Sequence, residues 1–103
     1  MRLEVVVFDY DGTLVDDLPL VVESYREALR EAGFPVAREE IARCVSLPPS
    51  AKRQALLGEE VTESRWEEIL RRRRRIYCEL AAGGVRLFPD TREVLGALAR
   101  RFR

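Results

Sequence analysis

Asp9 and Asp11 are the residues of this chain best suited to chemistry, two carboxylates separated by one residue in the segment Phe8-Asp9-Tyr10-Asp11-Gly12-Thr13. Such a pair can supply part of the oxygen shell of a hard cation. Gly12 lets the backbone turn sharply directly after the second carboxylate. A solvated turn or a helix cap would use the same residues. A calcium loop would need more oxygen ligands in sequence than Val15 and its neighbours supply.

What precedes the pair gives it a position. Leu3 to Phe8 (LEVVVF) is short, β-branched and almost continuously apolar, the pattern of a strand buried on both faces of a parallel sheet. The carboxyl end of such a strand is the edge at which open α/β sheets bind ligands. From Asp17 the apolar period changes to three and four, through Leu18, Val21, Val22, Tyr25, Ala28, Leu29 and Ala32, with Pro19 in the first turn and Gly33 after the last. That spacing predicts a helix, which Phe34-Pro35 ends.

Further helices follow in short pieces. Glu39 to Val45 presents Ile41, Cys44 and Val45 inward, and Pro48-Pro49 interrupts it. Ser50 is expected to cap a helix that ends at Gly58. Thr62 or Ser64 opens a longer one reaching about Ala81, Ser64 and Glu67 having capping-box spacing. Asp90 and Glu93 have the same spacing before a last helix that carries Val94, Leu95, Leu98 and Phe102 on one side. The region from Asp17 to Ala81 is therefore expected to fold as a compact helical bundle.

Within the long helix stand five consecutive arginines, Arg71 to Arg75. Five successive helical residues spread around the whole circumference, and Glu67 and Glu68 precede Arg71 and Arg72 by four, so ion pairing on a solvated face is expected rather than a nucleic-acid stripe. Arg73 differs. It falls within the apolar stripe of Trp66, Ile69, Leu70, Ile76, Tyr77 and Leu80, where it is expected to meet a carboxylate, a phosphate or an interface edge.

The 103 residues suffice for one modest domain, and eighteen basic residues balance eighteen acidic ones. No net field would draw the chain to nucleic acid or an anionic membrane. Nor does any apolar run approach the roughly 20 residues of a membrane helix, and acidic residues stand where a signal peptide needs apolar ones. A cytoplasmic location is expected. Cys44 and Cys78 have no CxxC spacing and no histidine to complete a zinc site, so they are expected to be reduced core thiols.

The stretch FDYDGTLVDD, read as VVVFD-x-DGT-L-x-D, resembles the first motif of the haloacid dehalogenase superfamily of phosphatases and related hydrolases. VESYREALREAGF is similar to the first helix of the small cap found in the phosphoglycolate-phosphatase-like and phosphomutase-like members. CVSLPPSAKRQAL is similar to the cap loop that faces the substrate, with Ser46 where a glycine is usual, and LFPDTREVLGALARRF to the return into the core. The resemblance implies an α/β fold, a Rossmannoid core with an inserted helical cap, of which this chain would hold a mostly α portion with one N-terminal core strand. Residues 1–15 and 86–103 would be partial core and 16–85 the cap.

It also implies roles. Asp9 would be the nucleophile that carries an aspartyl phosphate, and Asp11 the general acid and base. Mg²⁺ would be held by Asp9 and the Asp11 backbone carbonyl, offsetting the charge of carboxylate and phosphate. Gly12 and Thr13 would hold phosphate oxygens, and Lys52 or Arg53 would contact the substrate, a small phosphomonoester. The family's second motif, its phosphate-binding lysine and its distal acidic pair do not occur in these residues. The expectation is an N-terminal portion, nearly inactive alone, that associates with itself or with a complementing chain. The alternative is a non-catalytic helical association module with a relic motif.

Overall fold

The computed structural model describes residues 2–102. Five helices occur among them: α1 (Leu18–Glu31), α2 (Arg38–Cys44), α3 (Pro49–Leu57), α4 (Glu63–Ala81) and α5 (Thr91–Ala99). The chain divides into two compact units, one formed by the residues up to Asp17 with those from Val85 onward, the other by Leu18–Gly84.

In the helical unit, α1 packs chiefly on α4, α2 on α1 and α3 on α2. The three-and-four spacing read from the sequence is what makes α1 stick: Val22, Tyr25, Ala28 and Leu29 are buried on one face. They meet Trp66, Ile69 and Ile76 of α4, together with Ile41 of α2 and Val61. Gly33, at φ +90°, ends α1, donating its N–H to Arg30 while Phe34 donates to Leu29. Leu18 is the exception to the predicted stripe and lies exposed.

Several local expectations are corrected. Of the two residues expected to open α4, Thr62 caps it, its hydroxyl accepting the Arg65 N–H at 3.1 Å, so the capping box read at Ser64 is not formed. Helix α3 begins one residue before Ser50, with Pro49 in its first turn, where a missing N–H costs nothing. The side chain of Asp90 caps nothing; Thr91 is buried and its hydroxyl donates to the Leu14 carbonyl at 2.8 Å. Cys78 is exposed and Cys44 half-buried, because α4 turns Ile76, not Cys78, toward the core.

The arginine run is solvated in part, but its partners differ from those expected. Arg72 pairs with Glu31 of α1 at 2.7 Å, and Glu68 pairs with Arg65. Among the described residues Arg73 pairs with no acid: its Nε donates to Ser24 Oγ at 3.0 Å, and its guanidinium lies over the Tyr25 and Tyr77 rings. The aromatic faces and the hydroxyl take the place of the carboxylate, phosphate or interface edge expected there.

In the other unit, the strand expected over Leu3 to Phe8 is absent. Among the described residues no ladder forms, and only isolated bridges occur, Asp11 with Val15 and Val15 with Leu87. The physical reason is that a strand exists by its neighbours, and this segment pairs with none. Among the described residues no helix is long and apolar enough to cross a membrane.

Candidate active site

The segment from Asp9 to Asp17 forms a closed loop. The Tyr10 carbonyl accepts the N–H groups of Thr13, Leu14 and Val15, at 3.3, 3.0 and 3.2 Å, and Gly12 donates to the Val15 carbonyl at 3.0 Å. Gly12 adopts φ +73°, a region that side-chain-bearing residues resist, so its place after Asp11 has a backbone cause. Val15, 2% exposed, is the loop's apolar foot and bridges to Leu87. Phe88 donates to the Leu14 carbonyl, which also accepts the Thr91 hydroxyl. The return segment thus clamps the far side of the loop.

Asp9 and Asp11 both lie exposed at the start of this loop. Asp9 Oδ1 accepts the N–H of Tyr10 at 3.0 Å, which steadies its carboxylate. Asp17 was read only as a helix start, yet it is 1% exposed, and its Oδ1 accepts the Gly12 N–H at 3.2 Å. The signal for it was faint: an acid five residues after the glycine of a turn can reach back to it. Thr91, equally unforeseen, gave no signal beyond the helix start it occupies.

The amides of Gly12 and Thr13 are engaged inside the loop, whereas the side chain of Thr13 is exposed. Lys52 and Arg53 belong to α3 of the helical unit. Lys52 is buried and donates to the Tyr25 hydroxyl at 3.0 Å, while Arg53 is half-buried beside open grooves.

Carboxylate and carbonyl oxygens are the donors Mg²⁺ prefers, and it commonly takes one or two of them, keeping water and phosphate for its other positions. The donor types of Asp9 and Asp11 fit that ion. Among the described residues no group of three or more His, Cys, Asp or Glu side chains gathers as a complete cage.

Loop and helices together define a class. The family profile of haloacid dehalogenase-like hydrolases matches residues 6–102, and the chain belongs to that family. It is 31% identical over 113 aligned positions to a phosphoglycolate phosphatase of Haemophilus influenzae, covering 97% of this chain and 48% of the relative. It is 38% identical over 63 to the tyrosine-protein kinase PtkA of Mycobacterium tuberculosis, covering 59% of this chain and 22% of that protein.

Among solved structures, one titled as a predicted phosphoglycolate phosphatase from Haemophilus somnus superimposes with a TM-score of 0.73 at 26% identity, over 96% of this chain and 48% of that one. A Clostridium difficile structure at 20% identity shares the fold, with a TM-score of 0.70 over 97% of this chain and 46% of that one. The fold is thus that of an α/β family, present here as a mostly helical portion. The chain spans about half the length of the curated relatives it matches.

Proposed function

We propose that this chain carries the nucleophile-bearing portion of a phosphatase acting on small phosphomonoesters. The observation that supports this best is the closed loop itself, in which Asp9 and Asp11 stand exposed beside a turn closed by bonds to the Tyr10 carbonyl and braced by residues 86–91. A loop closed by its own hydrogen bonds holds its carboxylates in place, and preorganisation is what makes such groups effective.

In this reading an Asp9 carboxylate oxygen attacks the substrate phosphorus and the bond to the leaving oxygen breaks. Asp11 delivers its proton to that oxygen, releasing the alcohol. Asp11, now a carboxylate, takes a proton from water as the water attacks the aspartyl phosphate, freeing inorganic phosphate and restoring Asp9. General acid catalysis of this kind contributes a factor of about 10² to 10⁴. Mg²⁺, held by the Asp9 carboxylate and the Asp11 carbonyl, would supply positive charge to offset carboxylate and phosphate. The Thr13 hydroxyl would orient a phosphate oxygen.

The 103 residues alone are expected to be nearly inactive, because one turn offers little charge to stabilise a transferring phosphoryl group. Two measurements test the reading. The isolated polypeptide, given an aryl phosphate and Mg²⁺, should turn over far below ordinary enzyme rates. Joined to the second half of the Haemophilus influenzae phosphoglycolate phosphatase, it should hydrolyse that substrate and lose the activity in Asp9→Asn. A folded chimera without Asp9-dependent hydrolysis would refute the assignment.

A further inference from the structure

Helix α3 is fastened to the helical unit in an unusual way: its one buried residue is a lysine. The Lys52 ammonium donates to the Tyr25 hydroxyl at 3.0 Å and stands 4.9 Å from the centre of that ring. No carboxylate pairs with it among the described residues. Leu56 and Leu57, at the far end of the helix, are only partly buried against the core. Toward α4, Pro49, Ser50 and Arg53 border an open groove of about 370 Å³ whose other wall includes Trp66 and Leu70. The first turns of α3 therefore stand off α4 instead of packing on it.

Helix α3 is sharply bounded at both ends, by Pro48 before it and by Gly58, at φ +71°, after it. We infer that α3 is a flap, latched to the bundle by the contact of Lys52 with Tyr25, which opens without unfolding the core shared by α1 and α4. Withdrawing an apolar anchor would expose hydrocarbon to water, whereas withdrawing Lys52 rehydrates an ammonium. Segments held by few buried apolar contacts open first. Trp66, the single tryptophan, lies beside the groove, and its Nε1 is buried with no acceptor among the described residues. An open flap would let water reach it.

Hydrogen exchange and tryptophan quenching on the whole chain test the latch. The amides of α3 should exchange at least about tenfold faster than those of α1 and α4. Lys52→Ala should speed α3 about tenfold further, a hydrogen bond from a charged group being of that order, and should increase acrylamide quenching of Trp66 while α1 and α4 stay protected. Tyr25→Phe keeps the ring, removes the acceptor and should act in the same direction. Exchange of α3 in step with α1 and α4, or unchanged α3 exchange and Trp66 quenching in the two variants, would overturn the proposal.

Discussion

The guanidinium carbon of Arg73 lies 4.6 Å from the centre of the Tyr25 ring, joining α4 to α1 through a cation on an aromatic face. The same group covers Tyr77 at 5.3 Å and bonds the fully buried Ser24. One side chain thus serves three partners on two helices.

Replacing it should be costly for its charge and plane, not only its bulk. Arg73→Met is expected to lower unfolding free energy by about 1 to 3 kcal/mol. Arg73→Lys should recover only part, an ammonium having no plane to stack. Urea denaturation would measure both, and a lysine variant as stable as the parent would refute the stacking role.

Trp66 offers a sharper contrast. Its ring is buried among Leu29, Ile41 and their neighbours, but its N–H finds no acceptor among the described residues. Trp66→Ala should cost about 3 to 5 kcal/mol, the usual range for a large core aromatic. Trp66→Phe discards the unsatisfied donor and should cost under about 2 kcal/mol. A loss below about 1 kcal/mol in the alanine variant would place Trp66 outside the core.

Stability should fall in acid, and the pairs on α1 show why. Hydrogen bonding to Arg72 holds the Glu31 carboxyl below its ordinary range, and Arg26 and Arg30 do the same for Glu23 and Glu27. The unfolded chain then binds more protons than the folded one across the carboxylate range. These pairs contribute above that range, and their contribution is lost as pH falls through the lowered folded values. Glu31→Gln should flatten the curve of Tm against pH between about pH 5 and pH 3, and added salt should flatten it further. An unchanged slope would remove the pair from the account.

Leu3, Val5 and Val7 are 65%, 57% and 88% exposed, alternate residues of an apolar segment whose backbone has no hydrogen-bond partner among the described residues. Val94 and Leu95 of α5 are exposed as well. Bare apolar surface with unpaired backbone invites association. Light scattering at tens of micromolar is expected to give a mass above the monomer, and Val5→Lys with Val7→Lys to lower it. A monomer mass for the parent chain would contradict this.

Helices were legible where spacing alone decides, as at Val22, Tyr25 and Leu29, because a 3.6-residue period leaves one face to bury. The loop motif was legible because Gly12 must follow Asp11 for the chain to turn. Less could be read where the partner is distant in sequence. Nothing near Arg73 announces Ser24, forty-nine positions away, and nothing near Lys52 announces Tyr25. The strand over Leu3 to Phe8 failed for the same reason, since apolar composition states a capacity to pair and pairing requires neighbours. Caps were misplaced by one or two residues, several oxygen-bearing side chains competing for each helix start.

The Tyr10 carbonyl gathers three amides, and so position 10 serves the loop through an atom that every amino acid possesses. Its side chain, half exposed, is released from any duty in shaping the turn. A lineage could exchange that side chain many times over without disturbing the carboxylates on either side of it. Position 10 is therefore expected to accept other side chains while the loop's hydrogen bonds stay in place.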